Sequence, residues 1–119
     1  MDSGIYIAVF YLPKMQYISV GRLGRICFRQ GVYFYVGSAQ RNLSARIERH
    51  GKRKKALQWH IDYFSVKAEM LGAITIPGSR EHECKLARKL ASMLERAVPG
   101  FGASDCHCDG HLFYAPELP

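Results

Sequence analysis

Two apolar runs leave this chain little choice of architecture. "GIYIAVFYL" (4–12) and "GVYFYVGSA" (31–39) are dense in β-branched and aromatic residues, the types that suit a pleated, packed surface. A strand with one wet face alternates apolar and polar residues, whereas these runs are bulky on both faces and read as buried strands. In the first, Gly4 opens the strand, Ile5, Ile7 and Val9 line one face, and Tyr6, Ala8 and Phe10 line the other. Pro13, which lacks the N–H a ladder needs, closes it. In the second, Val32 to Val36 form the strand, and the small residues Gly37, Ser38 and Ala39 stop it.

The remaining segments supply partners for these strands. "QYISVGRLGRICF" (16–28) alternates, turns between Gly21 and Gly24, and resumes, which is a hairpin pattern. From about Arg41 the period lengthens: Leu43 and Ile47 are four apart, Ser38 or Asn42 can cap the start, and Gly51 ends a short helix. "QWHIDYF" (58–64) reads as a second short helix with Trp59 and Tyr63 on one face. "EMLGAITIPG" (69–78) reads as a strand ended by Pro77-Gly78, and 79–97 as the longest helix, with Cys84, Leu86, Ala87, Leu90, Met93, Leu94 and Val98 as its stripe. Ser79, followed by His82 and Glu83, marks the start of that helix. A last short strand runs from His111 to Ala115. This order predicts an α/β fold: a small single-domain sandwich whose central sheet of three or more strands, mixed or mostly antiparallel, is flanked by helices. Its 119 residues suffice for one core and not for two, so residues 1–119 are expected to form a single domain with its core at about 4–115.

Charge and cysteine content narrow the setting. The longest apolar run, residues 5–12, is far shorter than the roughly 20 residues of a membrane helix. Asp2 and Gly4 stand where a basic-then-apolar leader would begin. The expectation is a cytoplasmic protein with no membrane partner. The net charge of +7 is unevenly spread: "RNLSARIERHGKRKK" (41–55) holds seven basic residues against Glu48 alone. Such a field attracts phosphates over about a Debye length. It reads either as a solvating surface or as a nucleic-acid footprint. Cys27, Cys84, Cys106 and Cys108 are expected to be free thiols or metal ligands rather than disulfides.

The ordered set "GIY" (4–6), "YVG" (35–37), Arg46, His50 four residues on, and Glu83 on a later helix resembles the GIY-YIG nuclease superfamily. The phrases "YVGSA", "WHIDY" and "SDCHCDGHLFY" look like a small single-domain microbial branch of it, and the resemblance spans about residues 4–115. It implies a metal-dependent endonuclease that hydrolyses phosphodiester bonds, DNA more than RNA, with structure-selective or weakly specific cutting. One divalent cation, Mg²⁺ or Mn²⁺, would be held by Glu83. Tyr6 would act as base or water-orienter, Tyr35 would position it, and His50 would polarise a tyrosine hydroxyl or shuttle the proton. The spacing from Tyr35 to Arg46 is a residue longer than the commoner pattern, and the late asparagine of many relatives has no counterpart.

The residues support that chemistry on their own terms. Phosphodiester hydrolysis needs an activated water and positive charge where the phosphoryl oxygens gain negative charge. Arg46 and His50, at i and i+4, emerge from one helix face. The planar fork of Arg46 matches two phosphate oxygens, although a pairing with Glu48 or Asp62 is the plainer alternative. A single carboxylate suffices for magnesium, which keeps several waters and leans on the substrate phosphate; Glu81 competes with Glu83 for that role. Tyrosine, with an ordinary pKa near 10, needs help to act as a base, whereas histidine near 6.5 does not. The residues alone leave the choice between them open. Gly37 fits a backbone that a phosphate must approach, or simply a β-bulge or strand end. Arg41, Arg49, Lys52, Arg53, Lys54 and Lys55 are the candidate phosphate contacts.

"SDCHCDGH" (104–111) is a second constellation: Cys106, Cys108 and His111, with Cys84 or His107, offer thiolate and imidazole to zinc. The C-x-C spacing is tighter than the usual zinc bite. Trp59-His60 reads as a packed aromatic beside a hydrogen-bonded imidazole. Two other readings of the whole chain stand beside the nuclease: a catalytically inactive nucleic-acid-binding module of the same fold, and an interaction protein whose basic face meets an acidic partner.

Overall fold

The computed structural model describes residues 2–101 and 110–116. Its centre is an antiparallel five-stranded sheet in the order β5-β1-β4-β7-β6. The two apolar runs form β1 (Gly4–Leu12) and β4 (Gly31–Ala39), which pair along their full length from Gly4 against Ala39 to Leu12 against Gly31. β5 (Glu69–Ile76) flanks β1 with a register shift at Val9/Phe10, while β7 (Leu112–Ala115) and the two-residue β6 (Glu95–Arg96) continue the sheet beyond β4. β2 (Gln16–Ser19) and β3 (Arg25–Phe28) make the expected hairpin as a separate sheet, joined by a 3-10 turn over Gly21–Leu23.

Bulk on both strand faces is covered on both sides. Tyr6, Ala8, Phe10 and Leu12 of β1 and Tyr33 and Tyr35 of β4 pack against the hairpin, α1 (Leu43–Gly51) and α2 (His60–Ser65). Ile5 and Ile7, with Val36 and Phe113, pack against Ala87 and Leu90 of α3 (Glu81–Ala91). The α/β sandwich with an antiparallel central sheet is therefore the observed architecture. No helix among the described residues is long and apolar enough to cross a membrane.

Three local expectations are corrected. β4 does not stop at Val36: Gly37, Ser38 and Ala39 stay in the ladder because β1 supplies partners through Gly4. The helix expected over 79–97 ends at Ala91. Met93 and Leu94 close a turn on the carbonyl of Leu90, and Glu95 and Arg96 then pair with β7, so the apolar stripe breaks and Met93 is left exposed. At the start of α1, Asn42 makes no side-chain cap and sits in the left-handed region at φ 56°. Asp2 caps that helix from the other end of the sequence: its backbone carbonyl accepts from the Leu43 N–H and its carboxylate from the backbone N–H and hydroxyl of Ser44.

Candidate functional site

The antiparallel register sets Tyr6 opposite Gly37 and brings Ser38 to the end of the sheet, where β4 runs out between α1 and α3. A Cβ on Gly37 would run into the ring and hydroxyl of Tyr6. The glycine thus makes room for a phenol first of all, and the strand-end reading is set aside because Gly37 is fully paired. Ser38 links the two helices through opposite ends of one residue. Its carbonyl accepts from Nη1 of Arg46 on α1 at 2.6 Å, and its hydroxyl donates to Oε1 of Glu83 on α3. The other carboxylate oxygen of Glu83 lies 2.8 Å from Nδ1 of the buried His111. Burial alone would raise the Glu83 pKa; the hydrogen bonds from His111 and Ser38 outweigh it and hold the carboxyl below its ordinary value.

Tyr6, Tyr35, Gly37, Ser38, Arg46 and Glu83 all line one cleft of about 500 Å³. His50 lies just behind it. Its Nε2 shares a 2.6 Å hydrogen bond with the Tyr6 hydroxyl, and the imidazole is almost wholly buried between Tyr6 and Tyr35. Burial, together with the charge of Lys55, lowers the His50 pKa to about 4, so the ring is neutral at physiological pH. Its Nδ1 has no hydrogen-bond partner among the described residues. Burial also pushes the phenol of Tyr6 far above the usual range, with the Arg46 charge only partly opposing it, and Tyr35 moves the same way. The five side chains expected to act together are therefore neighbours, with Tyr6 rather than His50 facing the cleft.

The cationic residues divide. Arg41 lines the cleft and is exposed, and Lys52, Arg53 and Lys54 are exposed as expected. Arg49 is turned inward: it forks onto both oxygens of the fully buried Asp62 at 2.7 and 3.0 Å and also donates to the Ala56 carbonyl. Lys55 follows it, with Nζ donating to the carbonyls of Arg49 and His50 at the end of α1. These two expected phosphate contacts are instead structural, because a buried carboxylate and the orphan carbonyls of a helix end need cations nearby. The alternative pairing of Arg46 with Glu48 or Asp62 is likewise replaced. Arg49 takes Asp62, and Arg46 is left to the cleft, its guanidinium 5.0 Å over the Trp59 ring.

Trp59, Gln58, His60, Arg80 and Cys84 also border the cleft. Trp59 is not a core residue; it follows a basic loop and caps the start of α2, and its sequence signals were a helix face shared with Tyr63 and an aromatic beside a histidine. Gln58 and Arg80 carried none, since each reaches the cleft from a different part of the chain. Cys84 is disulfide-bonded rather than a free thiol, and its sulfur lies 4.0 Å from Nε2 of His111, while Cys27 is free and exposed. Cys106 and Cys108 of the zinc expectation lie outside the described residues. Among those described, no three His, Cys, Asp or Glu side chains are grouped to hold a metal ion.

Residues 5–119 match a family model described as a domain of unknown function, DUF123. The chain belongs to the DUF123 family. No curated protein and no solved structure matches it. What a DUF123 domain can do chemically must therefore be read from its cleft. A guanidinium and a carboxylate are held apart by one serine, beside a phenol hydrogen-bonded to a buried neutral imidazole.

Proposed function

We propose that this DUF123 domain is a divalent-metal-dependent endonuclease of the GIY-YIG type, hydrolysing phosphodiester bonds, in DNA more than in RNA. The observation that carries the reading is convergence. Tyr6, Tyr35, Arg46 and Glu83 come from two strands and two helices, yet border one cleft. A guanidinium at that place suits the non-bridging oxygens of a phosphodiester and the negative charge they gain during attack.

Glu83 fits a hard cation: it is partly exposed, lines the cleft, and keeps lone pairs beyond those that accept from Ser38 and His111. A bound Mg²⁺ or Mn²⁺ there would supply charge stabilisation to the phosphate and its leaving oxygen. The water is oriented by the chain's own groups. His50 is neutral and accepts at Nε2, but it lies behind Tyr6 and does not border the cleft. The Tyr6 hydroxyl donates to His50 Nε2, which polarises the phenol and leaves its oxygen lone pairs to accept from and orient the attacking water. That direction places the one proton of the neutral imidazole on Nδ1. Tyr35 packs against both rings and keeps them in register.

The test is purified protein on nicked, flapped and branched DNA with Mg²⁺ or Mn²⁺. Cutting is expected, and Arg46→Ala or Glu83→Gln should lower its rate by about 10²–10³, roughly 3 to 4 kcal/mol. Unchanged cutting by both variants would remove the assignment. One observation favours a second reading, a non-cutting binding module: both Glu83 oxygens already have partners within the fold. Tight DNA binding without cleavage at any divalent ion would select it.

A further inference from the structure

The cleft carries a second chemistry that phosphate hydrolysis does not use. Beside the cationic groups stand a large flat ring, Trp59, and two side chains with hydrogen-bonding edges, Gln58 and His60. Trp59 is 36 % exposed and belongs to neither core cluster. Arg46 and Arg49 hold their guanidiniums over its ring at 5.0 and 4.8 Å, themselves anchored by the Ser38 carbonyl and by Asp62. The indole is thus held at the cleft by two guanidiniums rather than by either core cluster. A volume of about 500 Å³ lies in the range of pockets that hold a small molecule.

We propose that the cleft receives one unpaired nucleotide, its phosphate among the arginines and its base stacked on Trp59. The substrate class follows: a strand with an unpaired base next to the bound phosphate, as in a flap, an overhang or a loop. Stacking on aromatic rings and guanidinium planes is how unpaired bases are held without regard to sequence, because every base has a π-face. A base inside a duplex has both faces covered by its neighbours, and a terminal pair offers one face only with its partner base and strand attached. The proposal rests on the nuclease reading only in taking a nucleic-acid strand as the ligand; stacking and cutting are measured separately.

Trp59 is the one tryptophan of the chain, so its fluorescence reports on this site in the unaltered protein. The experiment titrates the protein, without divalent cations, with hairpin DNAs that differ only at one end: a single-stranded flap, the same flap with an abasic nucleotide at the junction, or a blunt paired end. Adenosine monophosphate is a fourth ligand. The base-containing flap should quench the fluorescence, the blunt end should not, and the abasic flap should bind about 10-fold or more weakly with little quenching. By anisotropy of labelled DNA, Trp59→Ala should weaken the intact flap by a similar factor and leave the abasic flap unchanged; Trp59→Phe should retain most of the affinity. Equal quenching by blunt, abasic and intact ends would overturn the proposal, as would adenosine monophosphate binding as tightly as the flap. Base-dependent quenching without cleavage on adding Mg²⁺ upholds the stacking site and removes hydrolysis. Cleavage without base-dependent quenching does the reverse.

Discussion

The smallest determinant of the cleft is an absent side chain. Gly37 faces Tyr6 across the β1–β4 ladder, and any Cβ there meets the phenol. Gly37→Ala should destabilise the fold by about 1–3 kcal/mol, the usual cost of overpacking, and should also lower activity by displacing Tyr6. Urea denaturation read beside a cleavage assay checks both. His50 carries a pH prediction. In the folded chain burial and the Lys55 charge hold its pKa at about 4, with Asp62 opposing and Arg49 and Arg46 adding to the shift, against 6.5 unfolded. As pH falls through 6.5 the unfolded imidazole takes up a proton that the folded one refuses until about 4. Stability is therefore full above 6.5 and declines by about 3 kcal/mol between 6.5 and 4. His50→Gln should flatten that decline in urea melts taken across the window. His60, shifted the same way by burial, is common to both proteins and cancels. The sequence pointed to Tyr6, Tyr35, Arg46, His50 and Glu83 by type and order. It could not show that His50 lies behind Tyr6, because that depends on which ring is nearer solvent.

Elements were legible where local pattern decides them and illegible where a distant partner does. The two apolar runs, the glycine-bounded hairpin and α1 follow from period and turn chemistry alone. The end of α3 does not: its stripe continues past Ala91, but a free edge of β7 draws Glu95 and Arg96 into the sheet. The cap of α1 is also remote. Asp2 supplies it, while the adjacent Asn42 makes no side-chain capping bond. Asp2→Ala should cost about 1 kcal/mol, and Asn42→Ala should owe its effect only to the left-handed backbone it must keep. Chemical denaturation of the two variants distinguishes a cap lost at Asp2 from a conformational strain at Asn42.

For the molecule as a whole, net charge misstates the surface offered to a phosphate backbone. The +7 of the chain includes Arg49 and Lys55, whose charges serve Asp62 and the end of α1. In the basic loop that leaves Lys52, Arg53 and Lys54 exposed. If those three neutralise phosphates on duplex DNA, replacing them together by alanine should reduce the slope of log K against log[salt] by about 2.7. Binding measured at several salt concentrations tests this, and an unchanged slope would mean the loop does not meet the backbone.

Composition and periodicity by themselves determined an α/β sandwich built on buried strands and flanked by helices, because bulk on both sides of a strand must be covered on both sides. The ordered motifs marked the residue types able to handle a phosphate. Only the tertiary structure decided which arginine faces the cleft and which neutralises a buried carboxylate. Arg46 and Arg49 lie one helix turn apart and are alike in sequence, but Arg49 forks onto Asp62 while Arg46 donates to the Ser38 carbonyl. A charge goes to the nearest group that would otherwise be buried without a partner, and nearness across a fold is not written in the order of residues along the chain.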